Sequence, residues 1–262
     1  MPRARTYRSE AIVLRRVDFG EADRMLTLYS REFGKIRALA KGARKPQARK
    51  AGHVELFMRS NFMFAEGRNI DIVTQAELVE PYAALRDDLV RTTYAAYAAE
   101  LIDGLTAEAD RDLAKYDLLS KALGWLAEAG DVMLAARYYE LRLLSLAGFQ
   151  PQLFHCISCH EPIEQQDQFF SAELGGLLCP ACQGADRGAR PISGSAVKIL
   201  RHLQTNRWSH VARLRLRGKV RRELEMVMHY YLRHILERNL RSAEFLYRLR
   251  REAELFTSSS EE

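Results

Sequence analysis

The stretch that decides the fold is AIVLRRVDFGEADRMLTLYSREFGKIRALAK, residues 11–41. It contains three short segments rich in β-branched, aliphatic and aromatic residues, separated by turns at Gly20 and Gly34: AIVLRRV (11–17), RMLTLYS (24–30) and KIRALAK (35–41). Two more segments of this kind follow: ELFMRSNFMF (55–64) and IDIVTQAELV (70–79). Five short strands bounded by turn residues predict a small antiparallel β-barrel of the OB type, with a small sandwich as the alternative.

The hydrophobic pattern changes at Pro81 from strand-like to helical. Apolar residues recur at helical spacing from Tyr82 onward, and the stretches 110–128 and 131–147 are rich in Ala and Leu, with Gly104, Gly130 and Gly148 as expected stops. A further apolar stripe of 3.6-residue period runs from Val220 to Leu236. We therefore expect an α+β protein in which the barrel is followed by a mainly α-helical domain.

All four cysteines lie in one region, as HCISCH (155–160) and CPAC (179–182). The resulting C-x2-C-x19-C-x2-C spacing is typical of a zinc ribbon, in which two turns complete a tetrahedron of thiolates. Haem attachment would use only the first pair, a thioredoxin-like dithiol is poorly supported, and a disulfide or metal-free state is the remaining alternative. The predicted ligands of a structural Zn²⁺ are Cys156, Cys159, Cys179 and Cys182.

Charge is segregated along the chain, although the net charge is only +6. Residues 1–80 carry 16 basic and 10 acidic side chains, residues 81–186 carry 7 and 16, and residues 187–251 carry 17 and 4. Two basic ends flanking an acidic middle suggest a polyanionic partner for the ends and a basic protein partner for the middle.

The densest basic stretches are an acid-free segment after the third predicted strand and RLRLRGKVRR at 213–222. Either could be a solvated surface, but together they favour a nucleic-acid partner held through its phosphates. The basic candidates for contact are Arg37, Lys41, Arg44, Lys45, Arg49, Lys50, Arg213, Arg215, Arg217, Lys219, Arg221 and Arg222.

Catalytic signatures are not found: the chain has no Walker-type loop, G-x-S-x-G elbow or His-x-Glu deaminase pattern. The acids Asp87, Asp88, Asp103, Asp110 and Asp112 could suggest a metal-dependent nuclease, but they fall at helix starts and turns, where carboxylates cap amides. We expect a binding protein and no enzyme.

Three parts of the sequence carry a family resemblance: YRSEAIVLRRVDFGEADRMLTLYSREFGKIRALAKGARKP (7–46), the four-cysteine spacing, and YYLRHILERNLRSAEFL (230–246). In this order they resemble the bacterial recombination mediator RecO over nearly the whole chain. The resemblance implies an OB fold, a helical domain and an inserted zinc ribbon. It also implies binding of single- and double-stranded DNA, strand annealing, association with RecR and single-strand binding protein, and help in loading RecA. Under this resemblance Arg37, Lys41, Arg44, Lys45, Arg49 and Lys50 would contact DNA, and zinc would brace the fold.

The expected domains are an OB fold over 1–80, a helical domain over 81–152 and 186–256 whose second part is basic, a zinc ribbon over 153–185 and a disordered tail over 257–262. No run of 18 apolar residues occurs and MPRARTYRSE lacks the apolar centre of an export signal, so we expect a cytoplasmic, nucleoid-associated protein without membrane contact. The main alternative function is an RNA-binding or ribosome-associated zinc-ribbon protein.

Overall fold

A computed structural model describes residues 5–45, 51–216, 218–246 and 248–249. Those residues form two compact units. The first consists of the described residues up to Glu128 together with those from Phe245 onward, and the second is Ala129–Glu244.

Five strands of the first unit form a closed barrel in the order β1-β2-β3-β5-β4. The strands are β1 (Thr6–Phe19), β2 (Asp23–Ser30), β3 (Gly34–Ala40), β4 (Arg59–Ala65) and β5 (Asp71–Glu80). Alternating side chains point inward and form an apolar core that includes Val13, Leu26, Leu28, Phe62 and Phe64. The predicted OB-type barrel is therefore confirmed.

The barrel differs from the prediction in how it closes. Four of its pairings are antiparallel, but β3 and β5 pair in parallel through Ala38 with Asp71 and Leu39 with Ile72. Residues 55–58 were expected to begin a strand, yet β4 starts only at Arg59 because Phe57 has a left-handed backbone (φ 66°). The amide of Phe57 donates to the carbonyl of Val13 instead of joining the ladder.

Two helices complete the first unit, α1 (Leu89–Leu105) and α2 (Leu113–Glu128). The first begins later than predicted because residues 83–85 form a 3-10 turn, and the Asp88 carboxylate caps the N–H groups of Val90 and Arg91. Contact between β2 and α2 includes the buried rings of Tyr29 and Tyr116, which stack with centroids 6.5 Å apart.

The second unit combines helices with a three-stranded antiparallel sheet of order β7-β6-β8. Its elements are α3 (Val132–Leu146), β6 (Gln168–Ser171), β7 (Gly176–Leu178), β8 (Arg190–Ile192), α4 (Gly194–Thr205), α5 (Trp208–Val211) and α6 (Gly218–Leu236). The predicted 220–236 stripe is confirmed, because Leu224, Val227, Met228, Tyr231 and Leu232 of α6 are buried. Among the described residues no helix is both long and apolar enough to cross a membrane.

Candidate metal centre and nucleic-acid interface

Four thiols converge in the second unit. The Sγ atoms of Cys156, Cys159, Cys179 and Cys182 all lie within 4.8 Å of one another, and the Cys159 and Cys179 sulfurs are 3.9 Å apart. A tetrahedral Zn–S bond of about 2.3 Å corresponds to sulfurs about 3.8 Å apart, so the cluster has the dimensions of a four-thiolate metal site. All four cysteines are free, which does not agree with the disulfide alternative.

Each Cys-x2-Cys turn is folded by its own backbone. The amide of His160 donates to the carbonyl of Cys156, and the amide of Cys182 donates to that of Cys179, both at 2.9 Å. His160 has a left-handed backbone, φ 64°, which turns the chain away from the sulfurs. The second turn is linked to the first by the Cys179 amide, which donates to the Cys156 sulfur at 3.4 Å.

The electrostatics of the cluster favour a thiolate at its buried member. Burial by itself raises the pKa of Cys156, but the backbone N–H groups of Cys159, Cys179 and Ser158 outweigh that effect and lower it to about 6. In contrast, the side-chain hydrogen bond to Cys179 is the main cause that raises the pKa of Cys182 to about 12. A cation that bound here would displace the remaining thiol protons.

Arg201 of α4 supports the first cysteine turn, and no pattern in the sequence pointed to it. Its guanidinium donates to the carbonyl of Leu153 at 2.7 Å and to that of Ile163 at 3.1 Å, on the two chain segments that flank the turn. It also lies over the ring of Phe154, 5.1 Å from the centroid. Burial lowers the pKa of Arg201. Arg201 therefore links the two chain segments that flank the first cysteine turn.

The first group of predicted nucleic-acid contacts lies on the barrel. Arg37 is exposed on β3, and Lys41, Arg44 and Lys45 are exposed in the turn that follows it. Arg49 and Lys50 lie outside the described residues.

This turn is anchored to the hairpin between β1 and β2. The Gly42 amide donates to the Asp23 carboxylate at 2.7 Å, and the Arg44 amide donates to the Ala22 carbonyl at 2.9 Å. The Arg44 side chain forms an ion pair with Asp18 at 3.4 Å, whereas no such partner occurs among the described residues for Lys41 and Lys45. The structure therefore brings these cations together at one end of the barrel.

The second predicted group lies in the second unit. Arg213, Arg215, Lys219 and Arg222 are exposed, and Arg217 lies outside the described residues. Arg221 differs from these, because its guanidinium pairs with Asp131, the residue that caps α3, at 2.5 Å. That contact gives Arg221 a structural role at the start of α3.

Three of the acids considered for a nuclease site have structural partners. Asp88 and Asp112 accept hydrogen bonds at the starts of α1 and α2, and Asp103 pairs with Lys35 at 3.0 Å. Burial would raise the pKa of Asp112, but its hydrogen bonds and ion pair with Lys115 lower it. Among the described residues the thiol cluster is the one group of three or more His, Cys, Asp or Glu side chains that could hold a metal ion.

Comparison with known proteins adds to this geometry. The family model described as Recombination protein O N terminal matches residues 3–82, which contain the barrel, and the one described as Recombination protein O C terminal matches residues 86–244. The chain belongs to the RecO family. Together the two matched ranges include the barrel turn, the thiol cluster and the second basic group.

Individual RecO proteins are similar to this chain over most of both lengths. A DNA repair protein RecO from Roseiflexus sp. (strain RS-1) is 43% identical over 93% of this chain and 86% of its own. Those of Pelotomaculum thermopropionicum and Dehalococcoides mccartyi (strain 195) are 39% and 33% identical, covering 92% and 96% of this chain and 94% and 99% of their own. The predicted family is confirmed.

Proposed function

We propose that this RecO-family chain is a DNA-binding recombination mediator of DNA repair. The observation that carries the proposal is that both RecO family models match the chain, and that the range matched by the N-terminal one contains a closed OB-type barrel with exposed cations in the turn after β3. The proposed activities are binding of single- and double-stranded DNA, annealing of complementary strands and, with RecR, loading of RecA onto strands coated by single-strand binding protein. We also propose a cytoplasmic, nucleoid-associated location.

Annealing needs no catalytic group, so we propose a non-enzymatic mechanism. Two single strands repel each other through their phosphates, and a protein that neutralises phosphates on both strands lowers that repulsion. Lys41 and Lys45 of the barrel turn would contact one strand, together with Arg37, Arg44, Arg49 and Lys50. The other strand, or the same strand further along, would be contacted by the basic group of the second unit: Arg213, Arg215, Arg217, Lys219 and Arg222. Arg221 contributes charge nearby but is held by Asp131.

The proposed cofactor is one structural Zn²⁺ on Cys156, Cys159, Cys179 and Cys182. Four thiolates leave zinc no open position for water or substrate, so the ion would stabilise the ribbon and take no part in chemistry.

The proposed domains are the OB fold at 1–80, the helical parts at 81–152 and 186–256, the ribbon at 153–185 and a disordered tail at 257–262.

The test is a strand-annealing assay with complementary oligonucleotides coated by single-strand binding protein, with and without a zinc chelator. We expect the protein to accelerate annealing, and acceleration that depends on RecR would support the partner assignment. Competition by RNA of equal length separates this function from the RNA-binding alternative. No acceleration, combined with tighter binding to RNA than to DNA, would refute the proposal.

A further inference from the structure

The barrel closes over a shorter length than that of its strands. Strands β3 and β5 run in parallel and pair at two positions, Ala38 with Asp71 and Leu39 with Ile72. Because β3 ends at the next residue and β5 continues to Glu80, two lengths of strand extend beyond this contact. They are the beginning of β3 and the greater part of β5. Each has one side on which the closing pair supplies no backbone partner.

The beginning of β3 is covered by another part of the first unit. The Ala109 amide donates to the Lys35 carbonyl at 3.0 Å, and Lys35 and Glu108 form a parallel bridge. The Lys35 ammonium group extends this contact, because it donates to the carbonyls of Asp103 and Thr106, both at 2.7 Å. The segment that links α1 to α2 therefore takes the place of a strand beside the beginning of β3.

The later part of β5, residues 74–80, has no such cover among the described residues. Its backbone pairs with β4 on one side, and no other backbone partner of these residues occurs in the described part of the chain. In an antiparallel pair every second residue directs its N–H and C=O groups away from its neighbour, so β5 has an open edge here. The side chains agree, since Glu77 is exposed and Leu78 and Val79 are each 38% exposed.

Two bulges limit the length of this open edge. In the regular stretch, residues 75–78 of β5 pair one to one with residues 60–63 of β4. The register shifts at both ends of that stretch, where Thr74 and Val79 are the extra residues of β5. Bulges interrupt a ladder and twist the strand, so they disfavour long edge-to-edge pairing between copies of the chain. A short regular stretch remains, and its length suits one extended peptide segment.

The charge along this edge has one sign. Residues 69–85 include three acids, Asp71, Glu77 and Glu80, and no lysine or arginine. Glu77, in the regular stretch, has no ion-pair partner among the described residues. A second copy of β5 placed beside the first would double the negative charge along the edge, whereas a basic segment would neutralise it. Charge complementarity therefore favours a basic occupant over a second copy of this chain.

We infer that residues 74–80 of β5 dock an extended, basic segment of a partner protein by strand addition. The backbone of the segment bonds to the open edge, and its lysine or arginine side chains lie next to Glu77. Its apolar side chains, which alternate with the basic ones, contact Leu78 and Val79. This surface binds a protein, so it adds an interaction to the proposed nucleic-acid contacts and does not depend on them.

The test titrates the full chain with a fluorescent, acetylated and amidated octapeptide in which lysine and valine alternate, and it measures anisotropy. A second peptide has the same side chains but methylated backbone nitrogens, so it keeps the charge and has no backbone donors. We expect the methylated peptide to bind at least about tenfold more weakly, because several backbone hydrogen bonds are lost and their partners stay unpaired. An octapeptide with glutamate in place of lysine should show no binding.

A charge reversal locates the binding site. Glu77→Lys should weaken binding of the unmethylated peptide by at least about fivefold at low salt, because it reverses the charge within the regular stretch. Glu21→Lys makes the same change at another exposed acid of the first unit, in the β1–β2 hairpin, and should leave binding within about twofold. The bound peptide should also slow amide hydrogen exchange in β5 more than in β1 and β2.

The comparison of the two peptides uses the wild-type chain, so its outcome does not depend on how a variant folds. The inference is overturned if both peptides bind equally, since contact through side chains alone needs no strand addition. It is also overturned if Glu21→Lys matches Glu77→Lys, or if the lysine–valine peptide fails to bind at millimolar concentration. Self-association of the wild-type chain that Leu78→Lys abolishes would assign the edge to a second copy and refute the basic partner.

Discussion

Glycine is required at position 34 both by the backbone conformation there and by the atoms around it. It has a left-handed backbone, φ +66°, and a Cβ placed there would lie 2.1 Å from the Asp110 carbonyl oxygen. Gly20, in the preceding hairpin, has a similar φ of +57° but open space around the position of a Cβ. Substitutions at these two positions can therefore distinguish the cost of backbone strain from the cost of steric overlap.

We predict that Gly20→Ala lowers the free energy of unfolding by about 1–2 kcal/mol, the cost of the left-handed backbone alone. Gly34→Ala should cost at least about 3 kcal/mol, because the Asp110 segment must also move. Urea unfolding of the two variants measures the difference. Equal losses would show that the approach of Asp110 to β3 is not constrained in solution.

His229 of α6 makes the stability of the second unit depend on pH. Burial is the main cause that lowers its pKa, and the charges of Arg137 on α3 and Arg233 on α6 lower it further, against opposite contributions from Glu225 and Glu244. Because the folded pKa lies below that of the unfolded chain, the unfolded state takes up a proton first as the pH falls. Stability is therefore complete above about pH 6.5 and decreases below it.

We predict that the free energy of unfolding falls by up to about 1.4 kcal/mol per pH unit below pH 6.5, and that His229→Gln removes this component. Trp208, in the second unit, reports its unfolding by fluorescence when Trp125 of the first unit is replaced by Phe. Parallel pH profiles for the His229→Gln variant and its parent would contradict the assignment.

The cysteine ribbon has only short strands, so its order depends in part on the thiol cluster and on Arg201. Strands β6 and β7 have only four and three residues. A sheet of strands this short is only marginally stable without further constraints. A metal bridge between the two cysteine turns supplies such a constraint, because it closes the loop that contains both strands.

We predict that a zinc chelator, or Cys156→Ser, increases amide hydrogen exchange in β6 and β7 by at least about tenfold and leaves β1–β3 unchanged. Gln165→Ala, an exposed change in the loop between the two cysteine turns, keeps all four thiols and should behave as wild type. Uniform loss of protection in both units would mean that the metal supports the whole fold. No change anywhere would argue against a structural metal.

The sequence predicted those elements whose pattern is local. Alternating residues predicted the barrel strands, and the two Cys-x2-Cys turns predicted the thiol cluster, because each turn is formed by backbone bonds within a few residues. The parallel pairing of Leu39 with Ile72 joins strands that are not neighbours in sequence, and no local pattern encodes it. Apolar residues recur at helical spacing from Tyr82, but α1 begins only at Leu89 because the Asp88 carboxylate caps the N–H groups of its first turn.

Partners distant in sequence also decided which predicted cations are free. Arg44 and Arg221 looked equivalent to their neighbours in a basic run, but Asp18 and Asp131 pair with them in the fold. Arg201 was missed because a basic residue on a helix is ordinarily a solvated side chain. Its role becomes visible only when its hydrogen bonds to Leu153 and Ile163 are known.

Over the whole chain, basic residues occur in two groups, one in each compact unit, with an acidic stretch between them in sequence. If each basic group contacts a DNA strand, loss of either group should reduce annealing more than it reduces binding of a single DNA strand. Binding of one strand needs one group, whereas bringing two strands together needs neutralisation of both.

We predict that Lys41→Glu/Lys45→Glu and Arg213→Glu/Arg215→Glu each lower the salt dependence of single-strand binding, by about 0.7 in log–log slope for each phosphate that the variant no longer neutralises. Each double variant should reduce annealing rates by more than it reduces affinity. Arg111→Glu/Lys121→Glu, which reverses two exposed cations of the acidic stretch, is the matched control. A loss of annealing strictly proportional to the loss of affinity would refute a two-group mechanism.

The parallel β3–β5 pair has a consequence for how partners can attach. This pair joins the last two strand neighbours through Ala38 with Asp71 and Leu39 with Ile72, so the five described strands close into a hoop at the start of β5. At that point the backbone N–H and C=O groups are already paired, so a peptide cannot add a strand there and a partner must bind through side chains. In the second unit the outer side of β7 is bonded to Gln152 and Ile157, and the other outer strand of the small sheet, β8, is only three residues long. Growth of this small sheet into a larger intermolecular one is thereby disfavoured.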